Sequence, residues 1–214
     1  AYIESGAEVI TTNTFSSRRI RMDQNKVSRY FEYANKKACE LAIQAKQNSK
    51  KEVFIAGSIP AQFDTYKEDT RDDEIISSAF FDQINCISDY VDFLYLDVIS
   101  SGREIDLATK IIEKLNKPIL LGIHLTKNGC LPSGETISQV LKKYKSTNWI
   151  GIIAACVSLE IAENSINELQ LQNLPFGYKV NLWGQDEPLP QRKINTAKFN
   201  AVSYTHLRAH ETLS

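Results

Sequence analysis

The chain has 214 residues, 43% of them hydrophobic, enough for one domain with a sizeable core. Its 25 Lys and Arg against 26 Asp and Glu give a formal net charge of -1, so the composition makes no electrostatic case for nucleic acid or an anionic membrane as partner. Apolar runs such as residues 118–125 are far too short to span a bilayer, and the start Ala1-Tyr2-Ile3-Glu4 shows no signal-peptide pattern.

Strand-like and helix-like blocks alternate along the chain. Residues 8–15 (EVITTNTF) are short and β-branched and read as a strand. Residues 28–46 follow with Tyr30, Phe31, Ala34, Ala38, Leu41, Ala42 and Ala45 at helical spacing. Residues 53–59 (VFIAGSI) form the next apolar run and lead into a Gly-Ser-Ile-Pro turn. A helix is expected over 72–90, its Asp72-Asp73 start suited to the positive end of the helix dipole. Further strands are expected at 93–99, 118–125, 149–156 and 176–183, and further helices at 104–115, 135–144 (with Ser133 as a candidate cap) and 159–171.

Six strands thus alternate with five helices. Near-continuous apolar strands mean burial on both faces, as in a parallel sheet. A doubly wound sheet and a (β/α)₈ TIM barrel both satisfy this pattern. No GxGxxG or P-loop follows any strand, which lowers the nucleotide-binding reading. Small and polar residues cluster instead at strand ends: Thr12-Asn13-Thr14, Gly57-Ser58, Asp97, His124 and Cys156. In a barrel these ends converge on one mouth, so the pattern favours the barrel.

The four cysteines, Cys39, Cys86, Cys130 and Cys156, are widely spaced with no CxxC pair, and are expected to be reduced thiols of a cytoplasmic protein. The chain does not start with Met and is expected to begin inside a gene. Residues 202–212 (VSYTHLRAHET) look like the translation of a sequencing-library adapter, so 202–214 are expected to be a non-native tail and 1–201 the domain. That tail holds His206 and His210, an i, i+4 pair with no third ligand to suggest a metal site.

Several segments, in order, resemble the homocysteine S-methyltransferase family. Ser5-Gly6-Ala7-Glu8 running into Thr12-Asn13-Thr14-Phe15 resembles the family's second strand and the turn after it. FIAGSIPAQFDTY resembles the block after the third strand, with its Pro placed early, and VDFLYLDVISSGREIDLA resembles the fourth strand and its helix. GCLPSGETIS resembles the segment leading into the fifth helix. WIGIIAACVSLE resembles the sixth strand and LPFGYKVN the seventh. The resemblance covers residues 1–199 and implies an α/β fold, an incomplete TIM barrel in which strands two to seven are present.

The resemblance implies methyl transfer to the thiol of homocysteine or a close analogue from a small-molecule donor of the S-methylmethionine, S-adenosylmethionine, betaine or folate type. The acceptor would react as a Zn²⁺-bound thiolate, held with three Cys ligands. Cys156 matches the first of these; the other two belong to a Gly-Gly-Cys-Cys motif that this chain does not contain. From the residue alone, a strand-end Cys is more often a small buried hydrophobe. Asp97 stands where the family has a Glu that holds the substrate's ammonium; its alternative reading is a helix cap. Thr12 and Thr14 would offer hydroxyls and backbone groups to the substrate carboxylate, or simply fill a strand. No residue is assigned a catalytic role. His124 reads as a hydrogen-bonded core residue before a catalyst, and Tyr178 and Trp183 as packing.

Two departures bear on the substrate. Ala155 stands where the family has Asn before the ligand Cys, and Asp97 replaces Glu. They motivate an alternative, a catalytically inactive member that binds an amino-acid-like ligand. An unrelated TIM-barrel hydrolase or aldolase finds no paired carboxylates or suitably placed Lys to support it. With strands two to seven alone the barrel cannot close, so this chain by itself is expected to aggregate, to hold zinc poorly and to be inactive.

Overall fold

A computed structural model describes residues 2–181. Among them, six strands form one parallel sheet in the order β1-β2-β3-β4-β5-β6: β1 Val9–Thr11, β2 Phe54–Pro60, β3 Phe93–Ile99, β4 Ile119–Ile123, β5 Trp149–Ser158 and β6 Phe176–Asn181. Strand order equals chain order, so every crossover steps the same way. A doubly wound sheet needs a reversal, and none occurs here; the sheet is that of a partial barrel.

The connecting helices are α1 Arg19–Gln24, α2 Phe31–Ser49, α3 Asp73–Ile87, α4 Gly102–Glu113, α5 Ile137–Lys143 and α6 Leu159–Gln170. Helix α1 escapes the periodicity reading because it is six residues long and buries only Met22. Residues 28–30 and 88–90, expected as helix ends, are 3-10 turns flanking α2 and α3. The start of α5 also differs from expectation. Thr136, not Ser133, caps it, in a reciprocal box with Gln139, because Ser133 turns its hydroxyl to Glu135.

The two faces of the sheet are covered differently. One carries Ile55 and Ile59, Leu94, Leu96 and Ile99, Leu121 and Ile123, and Ile152, Ala154 and Val157. These pack against Phe80 and Ile84 of α3, Ile105 and Ile112 of α4, and Ile161 and Leu169 of α6. Burying such side chains supplies most of the fold's driving force, about 1.5–3 kcal/mol each. The other face holds a small cluster drawn from strands alone: Ala56, Phe93 and Tyr95, with Leu120 and Ile153 against them. Helices outside and side chains filling the concave interior are what a barrel wall requires. No helix among the described residues is long and apolar enough to cross a membrane.

Candidate functional site at the C-terminal edge of the sheet

All six strands run parallel, so their C-terminal ends gather on one edge. The loop after β1 is pinned there by a buried amide relay. Gln83 of α3 donates to the Thr14 carbonyl (2.9 Å) and to Asn35 of α2 (3.1 Å), and accepts from Gln62 after β2 (2.8 Å). Thr12 and Thr14 are buried and close on each other. Thr14 Oγ1 donates to the Ser58 carbonyl (2.6 Å), so the 2.9 Å contact between the hydroxyls takes its proton from Thr12, and Thr12 Oγ1 accepts from the Ser58 N–H (3.1 Å). Both hydroxyl protons are therefore spent inside the protein, latching β1 to β2.

The network continues inward. Ser58 Oγ donates to Asp97 Oδ2 (3.0 Å), and Lys179 Nζ donates to Asp97 Oδ1 and Oδ2 at 2.8 and 3.0 Å. Asp97 is 6% exposed in its side chain and Lys179 46%. The Lys179 ammonium also sits 5.5 Å from the centre of the Tyr95 ring, within cation–π range. Burial, with Asp97 beside it, pushes the Tyr95 phenol well above its ordinary value. Asp97 is thus a network acceptor and not a helix cap; Ser101 caps α4, accepting from the Glu104 N–H. Lys179 is absent from the sequence reading. Its signal was a lone charge on an otherwise weakly polar strand, in phase with Gly177 and Asn181.

Cys156 sits on a bulge. The register of β5 against β6 shifts between Ala155 and Val157, and Cys156 has φ 55, the left-handed region a side chain rarely adopts. Asn181 Nδ2 holds the bulge by donating to the Cys156 carbonyl (3.1 Å). A second bulge lies on β3, between Leu96 and Ile99, where the β-branched Val98 has φ 64. The two bulges flank Asp97 and Cys156, the residues that sequence reasoning paired in one site. Burial raises the Cys156 thiol pKa; Lys179 pulls it down, Asp97 pushes it up, and a hydrogen bond from Tyr66 lowers it. These neighbours place the sulfur on the Asp97 side of the wall and not among the helices.

Tyr66, from the loop after β2, lies over His124 with ring centroids 4.4 Å apart. His124 Nδ1 donates to the Ala155 carbonyl (3.3 Å), so this histidine is a hydrogen-bonded wall residue facing the mouth. Tyr66 was not foreseen, since a loop aromatic carries no periodicity. Tyr178 packs against the outer cluster and Phe176, in line with its packing assignment. Trp183, His206, His210 and the whole expected tail at 202–214 lie outside the described residues.

Of the other cysteines, Cys39 and Cys86 are buried on the helix side, where burial pushes the Cys39 thiol to about 11 and raises that of Cys86. Cys130 belongs to the loop after β4 and turns its thiol to the Asn128 carbonyl. Among the described residues no three His, Cys, Asp or Glu gather in a metal-binding group. Cys156 fits a zinc site as one sulfur ligand, because the bulge turns a soft donor to the mouth; the described residues bring no second or third ligand to it.

Solved structures of the homocysteine methyltransferase MmuM from Escherichia coli share the fold. The metallated form has a TM-score of 0.71 at 18% identity, covering 84% of this chain and 69% of that chain. The oxidized form gives 0.66 at 14% identity over 84% and 76%, and the apo form 0.62 at 16% over 84% and 68%. No curated protein sequence matches. The family model for homocysteine S-methyltransferase matches residues 1–204, nearly the whole sequence, and the chain belongs to that family.

Proposed function

We propose that the intact protein transfers a methyl group from a small-molecule donor to the sulfur of homocysteine or a close analogue, with Zn²⁺ as its metal and Cys156 as one ligand. The observation that carries this reading, beyond family membership, is the position of Cys156 on a left-handed bulge beside Asp97 and Lys179 at the C-terminal edge of the sheet. Zinc, when bound, lowers the pKa of a thiol it holds and so supplies a nucleophile at neutral pH. The remaining work falls to the chain's own groups. Tyr66, its ring 4.4 Å from that of His124, hydrogen-bonds to the Cys156 sulfur and so orients it. The Thr12–Thr14–Ser58 latch fixes the ends of β1 and β2, and Ser58 orients the Asp97 carboxylate.

The test is transfer of an isotope-labelled methyl group to homocysteine by the full-length gene product, followed as labelled methionine, with each donor class in turn. Activity that disappears in Cys156→Ala supports the reading. A full-length sequence lacking a Cys pair beyond the seventh strand would end it.

A second reading, a family member that binds an amino-acid-like ligand without turnover, is favoured by one feature. The carboxylate proposed to receive the substrate's ammonium already carries the Lys179 ammonium. If that reading holds, Asp97→Glu in the full-length protein produces no transfer to homocysteine.

A further inference from the structure

We propose that Arg18 is an anion-binding residue of the mouth and takes the carboxylate of the methyl donor. This rests on the reading of the mouth as a methyl-transfer site and gives the donor a point of attachment in this chain.

The Arg18 guanidinium is buried without a counter-ion. The residue is 5% exposed, and Nη2 donates to the Thr65 hydroxyl at 3.1 Å. Nε and Nη1 are sealed from water and meet no acceptor among the described residues. Asp64 lies near enough to favour the cation, but its two oxygens already accept from the Thr65 N–H and from Lys67, each at 2.9 Å. Burial and the charge of Arg21 work against the cation. The Phe15 ring, 5.3 Å from the guanidinium carbon, gives a cation–π contact but no acceptor for the N–H groups. Buried charges are ordinarily paired, so a guanidinium kept from water with open donors marks a place for an anion.

Local structure gives no other reason for this residue. Arg18 is the N-cap of α1, a position that favours Ser, Thr, Asp or Asn, and its side chain caps nothing. A cation there also opposes the helix dipole. Positions that break a local rule without a local gain are where functional sites are expected.

Placement names the ligand. Arg18 lies on the loop after β1. Its partner Thr65 lies on the loop after β2, next to Tyr66, which hydrogen-bonds to the Cys156 sulfur. The acceptor's sulfur belongs with Cys156, in the wall beside Asp97 and Lys179. Side chains fill the barrel interior below, so the second substrate comes from the loop side of the mouth. A guanidinium fixed on that side matches a carboxylate in both charge and shape. The loop after β2 must yield for the carboxylate to enter, and Tyr66 there has φ 69, a conformation side chains rarely adopt.

The experiment titrates the full-length gene product calorimetrically, with Zn²⁺ and a reductant present. The probes are L-homocysteine, the donor that binds most tightly among S-methylmethionine, S-adenosylmethionine, glycine betaine and 5-methyltetrahydrofolate, and that donor with its carboxylate converted to an amide. The wild type is expected to bind the donor at least about tenfold more tightly than the amide. Arg18→Gln should shrink this ratio to about threefold or less and leave the affinity for homocysteine unchanged. Arg18→Lys, which keeps the charge, should retain most of the ratio. Melting curves of both variants check that the fold survives. A ratio unmoved by Arg18→Gln overturns the inference and leaves the methyl-transfer reading standing. A loss confined to homocysteine overturns it too, by giving the carboxylate to the acceptor. If no donor binds, the methyl-transfer reading falls and this inference with it.

Discussion

Gly122 of β4 lies directly beneath Tyr95 of β3: a methyl group on Gly122 would come 2.5 Å from the Tyr95 ring and 2.5 Å from the Leu96 carbonyl oxygen. Glycine is required here by space, since the wall must leave room for a large aromatic filling the barrel interior. Gly122→Ala is expected to cost about 2 kcal/mol or more, as overpacking against backbone cannot relax cheaply. Urea unfolding measures this, and an unchanged midpoint would mean that Tyr95 is not packed on that face.

Asp97→Ala should be destabilising for a different reason. It strips Ser58 and Lys179 of their common acceptor. Lys179 is half exposed and can turn to water, so solvent screening keeps the pair itself modest. The loss should be on the order of 2 kcal/mol, most of it from the buried hydrogen bonds. A loss below about 0.5 kcal/mol in denaturant titration would count against the network.

Glu104 gives the fold a pH dependence. It is buried at the start of α4, accepts from the Ser101 hydroxyl, and burial pushes its carboxyl up to about 7. The folded state therefore binds a proton more tightly than the unfolded chain does. Between the ordinary glutamate range and about pH 7, stability falls as pH rises, and the penalty is complete above that window. The full effect is on the order of 3 kcal/mol. Glu104→Gln should flatten this slope of stability against pH from 5 to 8; an equally steep slope in the variant would assign it elsewhere.

Native-state labelling with iodoacetamide should rank the cysteines. Cys130, partly exposed in its loop, should react first. Cys39, on the buried face of α2 with its thiol pushed to about 11, should stay unlabelled until the protein unfolds. Peptide mass spectrometry reads the order, and early labelling of Cys39 would contradict the packing of α2 on the sheet.

Alternation of apolar runs made the parallel α/β character and five of the helices legible, because burial on both faces leaves a continuous apolar signature. It left the barrel and the open sheet both standing; the unreversed strand order decided between them. Resemblance over ordered segments pointed to the family, and to Thr12, Thr14, Asp97 and Cys156 as one site. What those four residues do there depends on contacts distant in sequence. Lys179 is 82 positions from Asp97, and no local pattern joins them.

Cys156 shows the division most clearly. Ile152 and Ala154 face the helices, so two-residue periodicity would put Cys156 on that side too. The bulge inserts one extra residue, Val157 takes the helix-facing position, and the cysteine is left beside Asp97, Lys179 and Tyr66. Local periodicity is enough to order the six strands and five of the six helices among the described residues, with the short α1 escaping it. Where this sulfur points and which cation meets Asp97 follow from folding, because a positive φ and a cross-sheet ion pair are fixed by neighbours distant in sequence.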